Sequence, residues 1–417
     1  MDEINLSEKL KQLEAEVENE VRIKNEATQR IWEEMTGMKD STNRSGGSVF
    51  SVNPLTEQET IPKPMTPSAS PASVQPELSH AVTLEDLNAP IITKEDFSPD
   101  EKWAMVLAGG GGKGSYQIGV WKALREMDLE KNLIALSGSS VGALNAALIS
   151  LGDYDNAEKI WNSIMPEQFL DINSSTITGP LEKIVQRSLI NGLCSRDGLI
   201  DIIDNHLDIS KLPLARIPAY VCVAWYSSDC VECLDEKPVA EYISLSEVDR
   251  YDAKSLLLAS SAMPYIYPPE LIHDKIYRDG GLADNVPVLP MTCVGADKLI
   301  VVKLEPNDKV NSSLYSHFKE VVEITPSREI GDLLDGTLDF AARNVRFRML
   351  LGYYDTLRAF SLRMYRLNGL PLNEAEKKRR EDEDYEKIMS ILRRERALGS
   401  AENNMSRLNT LLNKFEN

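Results

Sequence analysis

The sequence predicts an α/β protein with a mostly parallel central sheet that is sandwiched between helices. Unbroken apolar runs at 103–108 and 133–137 have the length of buried strands. Each run is followed by a segment whose apolar residues have helical spacing, over 114–127 and 141–150. Because strands that alternate with helices form parallel sheets covered on both faces, we expect a three-layer arrangement.

The remainder of the α/β region continues this pattern. Further strands are expected at 219–226, 276–278 and 298–303, where short apolar segments recur. Residues 153–215 favour helix and are expected to form an insertion or cap over the sheet. From residue 330 onward the chain is predicted to be helical, and its last part mixes acidic and basic residues as solvated helix faces do.

Composition divides the chain into four segments. These are an N-terminal amphipathic helix over 1–36, a disordered linker over 37–100, the α/β domain over 101–364 and a helical C-terminal tail over 365–417. The linker is rich in Ser, Thr, Asn and Pro, and it has too few apolar residues to offset the entropy of ordering. The N-terminal helix has an apolar seam formed by Leu6, Leu10, Leu13 and Val17. A partner-binding coiled coil and a solitary amphipathic helix would both carry such a seam.

The chain is acidic, with a formal net charge of -19 over 417 residues. Nucleic acid is therefore not an expected partner, because affinity for phosphates depends on Lys and Arg. An anionic membrane would also repel the chain unless a local patch or a partner protein offsets the field. Any membrane contact is expected to be peripheral, since no apolar window approaches the ~18 residues of a membrane span.

Cysteine usage and the N-terminal sequence indicate a cytoplasmic protein. The five cysteines are odd in number and sparse, which is typical of a reducing compartment. Cys230 and Cys233 have the spacing of a metal or redox pair, but no second Cys or His pair accompanies them, so free thiols and no metal are expected. The charged N-terminus lacks an apolar signal segment, so any export would use a route that needs none.

The candidate nucleophile is Ser140, in the run Gly138-Ser139-Ser140-Val141-Gly142. The run follows an apolar strand and precedes a helix of small residues, as a nucleophile elbow does. Such a turn exposes the serine oxygen, and the two glycines leave room for the turn. Because Gly-x-Ser-x-Gly also arises by chance, its meaning depends on two further motifs.

A glycine loop between the first strand and the first helix is the candidate source of oxyanion donors. It runs from Gly109 to Gly114 as Gly-Gly-Gly-Gly-Lys-Gly, and its backbone can turn several N–H groups toward one point. The loop also satisfies the dinucleotide pattern G-x-G-x-x-G, but the acidic residue expected after the second strand is missing. A P-loop needs Ser or Thr after its lysine, and Gly114 follows Lys113 here. Nucleotide binding is therefore disfavoured.

The candidate general base is an aspartate. Asp279-Gly280-Gly281 ends an apolar-flanked segment, so its carboxylate is expected at a strand end. A partly desolvated carboxylate that is hydrogen-bonded to a serine can act as a general base. Taken alone, the motif also fits a plain Asp-Gly turn. No histidine has a sequence context that favours it as the base, among His80, His206, His273 and His317.

Together, the three motifs resemble those of the patatin-like phospholipase family. The segments similar to the family's oxyanion loop, its nucleophile elbow and its Asp-Gly-Gly element are 109–114, 138–142 and 279–281. Two further stretches, 258–264 and 351–355, also look similar to the family. The resemblance extends over about residues 103–362 and leaves out the N-terminal helix, the linker and the tail.

The resemblance implies a Ser-Asp dyad that works without histidine. In such a dyad Ser140 attacks the acyl ester, Asp279 takes the serine proton, and water then hydrolyses the acyl-enzyme. The oxyanion would be held by amides of the loop residues Gly109, Gly110 and Gly111. The remaining motif residues would support this geometry, with Lys113 anchoring the loop by hydrogen bonds: Gly112, Lys113, Gly114, Gly138, Gly142, Gly280 and Gly281.

The implied substrates are acyl lipids, chiefly phospholipids and lysophospholipids, and neither a metal nor another cofactor is implied. Acyl transfer to an acceptor other than water would use the same residues, and a lipid-binding or interaction protein could retain the same scaffold. The linker, the acidic charge and the helical flanks are also similar to those of patatin-like bacterial effectors, some of which require a host protein activator. An ordinary intracellular lipase with a dispensable N-terminal extension is the alternative.

Overall fold

The computed structural model describes six parts of the chain, namely 96–165, 168, 181–226, 237–331, 336–368 and 374–415. The predicted N-terminal helix, nearly all of the predicted linker and the Cys230/Cys233 pair lie outside these residues. By its internal contacts the chain divides into two compact units, Met1–Ala89 with Gly179–Val185 and Pro90–Thr178 with Gln186–Asn417. Every site discussed below belongs to the second unit.

An eight-stranded sheet organises the described part of the chain. Its strands are β1 (Trp103–Leu107), β2 (Leu133–Ser139), β3 (Ala219–Trp225), β4 (Val239–Ser244), β5 (Glu270–Ile272), β6 (Lys275–Asp279), β7 (Lys298–Val302) and β8 (Glu320–Ile324). The order across the sheet is β5-β6-β3-β2-β1-β7-β8, and β4 also pairs with β3. Strands β8, β7, β1, β2 and β3 are parallel, whereas β4, β5 and β6 join through antiparallel pairs. The predicted mostly parallel sheet is confirmed.

Strand β1 is buried at every position along its length. Burial of alternating side chains on both sides of a strand shows that helices cover both faces of the sheet. The α-helices of the described residues are α1 (Ser115–Glu126), α2 (Val141–Leu151), α3 (Tyr154–Ser163), α4 (Leu181–Asn191), α5 (Asp197–His206), α6 (Arg250–Ser260), α7 (Ala342–Leu367) and α8 (Glu374–Phe415). Short 3₁₀ turns connect several of them, including Gly111–Gly114 between β1 and α1. Within the described ranges, no helix combines the length and the apolar character that crossing a membrane requires.

The structure differs from the sequence prediction at three strands and at the start of one helix. Strands β4, β5 and β8 were not predicted, because each is partly exposed and so lacks an unbroken apolar run. The helix predicted from residue 330 begins only at Ala342. From within this helix, the buried guanidinium of Arg348 donates to the carbonyl oxygens of Ile330 and Asp339.

Candidate active site

Strand β3 brings the ends of β2 and β6 together. Because β4 occupies one edge of β3 over 220–225, β2 and β6 share the other edge, end to end. Ser139, the last residue of β2, pairs with Cys222, and Asp279, the last residue of β6, pairs with the next residue, Val223. The candidate nucleophile follows Ser139 directly, so the sheet places it beside the carboxylate.

Ser140 occupies a strained turn between β2 and α2. Its φ of 52° and ψ of -126° are rare for a residue with a side chain and cost on the order of 1–3 kcal/mol. The turn is so tight that a Cβ atom at Gly138 would lie 2.2 Å from the carbonyl oxygen of Gly142. A Cβ at Gly142 would lie 2.2 Å from the carbonyl oxygen of Leu107. The two glycines of the motif are therefore required by the close approach of backbone to backbone.

The side chains of Ser140 and Asp279 form a direct hydrogen bond. The Ser140 Oγ donates to Oδ2 of Asp279 at 2.8 Å, and the other carboxylate oxygen accepts the backbone N–H of Gly281 at 2.8 Å. Both side chains are buried, with 7% and 5% of their surface exposed. Gly280 permits this arrangement, because a Cβ there would lie 2.1 Å from the carbonyl oxygen of Cys222.

Burial changes the acidity of the carboxyl group. Desolvation raises the pKa of Asp279 from 3.8 to about 6, although the hydrogen bonds from Ser140 and from the Gly281 amide oppose the rise. A carboxyl group with this pKa is largely ionised at neutral pH and can both accept and return a proton there. The pair therefore has the geometry and the acidity of a nucleophile with its general base.

The glycine loop lies against the same site. Gly111 has a φ of 53°, and its backbone packs under Thr337, whose carbonyl oxygen would lie 2.2 Å from a Cβ at position 111. The N–H of Gly109 donates to the carbonyl oxygen of Asn285 at 3.2 Å, so this amide already has an acceptor. The amides of Gly110 and Gly111 donate to no acceptor among the described residues, and they are the candidates that the loop retains.

Two buried cations hold the glycine loop in place. Lys113 is fully buried, and its Nζ forms an ion pair with Glu305. Arg348 donates to the carbonyl oxygen of Gly112 at 3.3 Å and to Oδ2 of Asp339 at 3.1 Å. These contacts tie the loop to the segments that carry Glu305 and Asp339.

Two residues without a predicted role, Ser260 and Asn285, also hold the site. Ser260 Oγ accepts the backbone N–H of Ser140 at 2.9 Å and donates to the carbonyl oxygen of Cys222 at 2.7 Å. Asn285 accepts the N–H of Gly109 and donates from Nδ2 to the carbonyl oxygen of the same glycine at 3.3 Å. Ser260 lies within the stretch 258–264 that looked similar to the family, whereas Asn285 gave no signal in the sequence.

An apolar cavity extends from the Ser140–Asp279 pair into the helical layer. Gly111, Ser261 and Met263 also lie at the walls near the pair. The walls farther in are supplied mainly by aliphatic and aromatic side chains of α2, α3 and α5, among them Leu144, Leu148, Trp161, Ile203, Leu207 and Phe340. A cavity of this composition suits a hydrocarbon chain.

The described histidines lie away from the dyad. His206 ends α5, His273 Nε2 contacts Asp252 at 3.2 Å on the surface, and His317 Nδ1 contacts the carbonyl oxygen of Leu314 at 3.1 Å. His80 is outside the described residues. Within the described ranges, no cluster of His, Cys, Asp and Glu has an arrangement that could hold a metal ion.

The sequence over residues 105–292 matches the family model of the patatin-like phospholipases. The matched range contains the glycine loop, the strained serine turn and the Asp-Gly-Gly segment whose geometry is given above. This chain therefore contains a patatin-like phospholipase region at 105–292.

Individual proteins resemble the chain at lower similarity. An uncharacterized NTE family protein of Mycobacterium tuberculosis is 25% identical over 220 residues, which cover 53% of this chain and 54% of that protein. The lysophospholipase nte1 of Aspergillus terreus is 28% identical over 205 residues, which cover 48% of this chain and 12% of that protein. Among solved structures, VipD from Legionella pneumophila has a TM-score of 0.36 and 14% identity, with 74% of this chain and 77% of that chain covered. The chain thus spans about half the length of the mycobacterial relative and a small part of the fungal one.

Proposed function

We propose that this protein is a serine lipid acyl hydrolase that cleaves fatty-acyl esters of phospholipids or lysophospholipids. The observation that carries the proposal is the 2.8 Å hydrogen bond between Ser140 Oγ and Asp279 Oδ2 at one end of an apolar cavity. The family match over 105–292 supports a lipid substrate, and a lysophospholipase among the similar proteins agrees with it.

In the first step the proposed enzyme forms an acyl-enzyme. The acyl chain enters the cavity, and Ser140 Oγ attacks the ester carbonyl carbon while its proton passes to Asp279. The negative charge moves to the carbonyl oxygen, and the amides of Gly110 and Gly111 donate to it. When the tetrahedral intermediate collapses, the carbon–oxygen bond to the glycerol breaks, and protonated Asp279 returns the proton to the leaving oxygen.

In the second step water releases the fatty acid. The water takes the place of the departed alcohol, and Asp279 accepts its proton as its oxygen attacks the acyl carbon of the ester on Ser140. A second tetrahedral intermediate is held by the same amides, and its collapse returns the proton to Ser140 Oγ. No step in this scheme depends on a metal or another cofactor.

The substrate lies in a membrane or micelle, so turnover also requires peripheral contact with a lipid surface. The net charge of -19 opposes approach to anionic lipid. We therefore include an activating protein partner in the proposal, and neutral phosphatidylcholine vesicles are the first substrate to try.

The test is release of fatty acid from vesicles of phosphatidylcholine and lysophosphatidylcholine, measured by mass spectrometry with and without cell lysate. Wild type is compared with Ser140→Ala and with Asp279→Asn, which keeps the shape of the carboxyl group. Ser150→Ala is the matched control, because Ser150 is a buried serine whose Oγ donates to the carbonyl oxygen of Ile217 at 2.6 Å, away from the dyad.

The proposal predicts that wild type and Ser150→Ala release fatty acid and that both dyad variants do not. Release that persists in Ser140→Ala would refute the dyad. Release only in the presence of lysate would establish the activator. If a second lipid gains the acyl chain while little fatty acid appears, the same dyad is an acyltransferase. Binding of lipid without any turnover would make the chain a lipid-binding protein on this scaffold.

A further inference from the structure

One wall of the apolar cavity is a single face of α2. The residues of α2 that line it are Val141, Leu144, Asn145 and Leu148, whose spacing places them on one side of a helix. This face begins directly after Ser140. Leu148 follows the serine by eight positions, so the wall extends about 12 Å from the nucleophile at about 1.5 Å per residue.

Helices α3 and α5 form the opposite walls. Ile160, Trp161 and Ile164 line the cavity from the C-terminal end of α3, and α5 and its end contribute Leu199, Ile202, Ile203 and Leu207. Exposure differs along the walls. Leu144 and Ile202 are partly exposed, whereas Leu148, Ile203 and Leu207 are buried. Leu148 is buried and is the last residue of α2 that lines the cavity, so the α2 wall ends at this side chain.

The one amide on the α2 wall is already satisfied. Asn145 Nδ2 donates to the carbonyl oxygen of Gly114 at 2.9 Å and to Oε1 of Gln117 at 2.8 Å. Its Oδ1 accepts the indole N–H of Trp161 at 3.0 Å. These bonds fix the Trp161 ring, which stacks on Phe340 with ring centroids 6.5 Å apart. Because the amide of Asn145 is occupied in this way, this wall favours a hydrocarbon chain over a polar head group.

We propose that Leu148 closes the acyl site and that the enzyme prefers medium-length acyl chains. An extended hydrocarbon advances roughly 1.3 Å per carbon, given carbon–carbon bonds of about 1.5 Å. A wall of about 12 Å therefore accommodates roughly nine carbons beyond the carbonyl carbon, which is the length of a decanoyl group. The inference rests on the proposed function, since it assumes that Ser140 is the point of attachment.

The energetic consequence is a maximum in the dependence of activity on chain length. Each methylene that enters the cavity leaves water and raises kcat/KM by about fourfold. Carbons beyond Leu148 find no room, so they must bend the chain or displace α2, and the gain stops. We expect kcat/KM to rise from butyrate through hexanoate to octanoate and decanoate and to fall for palmitate.

The experiment measures kcat/KM for the p-nitrophenyl esters of this acid series, with laurate included. In Leu148→Ala the closed end recedes, and the maximum is expected to move to laurate. In Leu148→Trp the end advances, and the maximum is expected to move to hexanoate. Ile149→Ala is the matched control, because Ile149 is the next residue on α2 and is fully buried but does not line the cavity. It should lower stability and leave the maximum unchanged.

A binding experiment separates failure of this inference from failure of the proposed function. In Ser140→Ala, the free acids of the same series compete with a fluorescent fatty-acid probe, so chain length is measured without catalysis. The inference predicts that decanoate, or an acid close to it in length, competes best. When Leu148→Ala or Leu148→Trp is added to Ser140→Ala, the best competitor should shift in the same direction as the best ester does. If kcat/KM is highest for the palmitate ester and the Leu148 variants do not change this preference, the inference is overturned while the dyad stands. If no ester is cleaved but the binding maxima shift as expected, the proposed function fails and the acyl site stands.

Discussion

Ser260 Oγ accepts the backbone N–H of Ser140 at 2.9 Å. The same hydroxyl donates to the carbonyl oxygen of Cys222, so one buried side chain joins the end of α6, the nucleophile turn and β3. The bond fixes the peptide of a residue that is held at positive φ. It also occupies the amide of Ser140 itself.

Replacement of Ser260 by Ala should lower kcat more than it changes KM. Without the hydroxyl, the Ser140 amide loses its acceptor and the turn loses the contact that orients Oγ. A misplaced nucleophile costs on the order of 10²-fold in kcat. The buried, unsatisfied N–H should also lower the free energy of unfolding by about 1–3 kcal/mol. Steady-state kinetics on a soluble ester and urea unfolding measure the two effects.

Two variants control for stability alone. Ser260→Thr keeps the hydroxyl and should recover most of kcat. Ser150→Ala removes an equally buried hydroxyl that donates to a carbonyl oxygen elsewhere, and it should leave kcat unchanged. An effect of Ser260→Ala on KM alone would argue that Ser260 contributes to the acyl site and does not position the nucleophile.

The dependence of activity on pH should follow the ionisation of Asp279. Burial raises the pKa of this carboxyl group to about 6, and only the ionised form can take the proton of Ser140. We therefore expect kcat/KM to rise with pH through about 6 and to level off above it. A rate profile on a p-nitrophenyl ester, with initial rates corrected for nitrophenol ionisation, provides the measurement. A profile that is flat between pH 5 and 8 would contradict the role of Asp279 as the base.

The same pKa predicts that the dyad reduces stability at neutral pH. The folded chain binds the Asp279 proton more tightly than the unfolded chain does, with pKa values of about 6 and 3.8, so stability falls as pH rises between these values. Asp279→Asn removes this titration and should stabilise the fold by about 3 kcal/mol at pH 7.5, and by about half as much at pH 5. Urea unfolding at the two pH values tests this, and equal gains at both would contradict it.

The candidate residues of the site could be chosen from the sequence, but their assembly could not be predicted. Ser140 and Asp279 could be selected because the elbow and the Asp-Gly-Gly segment are local motifs whose glycines have steric causes. Their contact could not be derived, since it depends on β3 offering Cys222 and Val223 to two different strands on one edge. The antiparallel pairing of β6 has no local signature, and the half-exposed β4 that fills the other edge was not predicted.

The glycine loop is a second case in which contacts between distant residues could not be derived from the sequence. From the sequence alone, Gly109, Gly110 and Gly111 are equivalent candidates, because glycines in a row are indistinguishable before the chain folds. The structure separates them through Asn285, which lies far along the chain and takes the amide of Gly109. A hydrogen bond to the backbone of a residue so distant in sequence leaves no pattern to detect.

Asn285 should therefore matter to catalysis through the loop that it holds. Asn285→Ala keeps the backbone bond from Gly109 but removes the bonds from Nδ2 to the carbonyl oxygen of Gly109 and to Asp308. The loop amides are then less firmly placed, and we expect kcat/KM to fall about tenfold, less than the loss of a whole oxyanion donor. Asn132→Ala is the matched control, because Nδ2 of this buried asparagine also donates to two backbone carbonyl oxygens, far from the dyad. Similar losses of stability with a loss of kcat/KM only in Asn285→Ala would establish the positioning role, whereas equal activity in both variants would refute it.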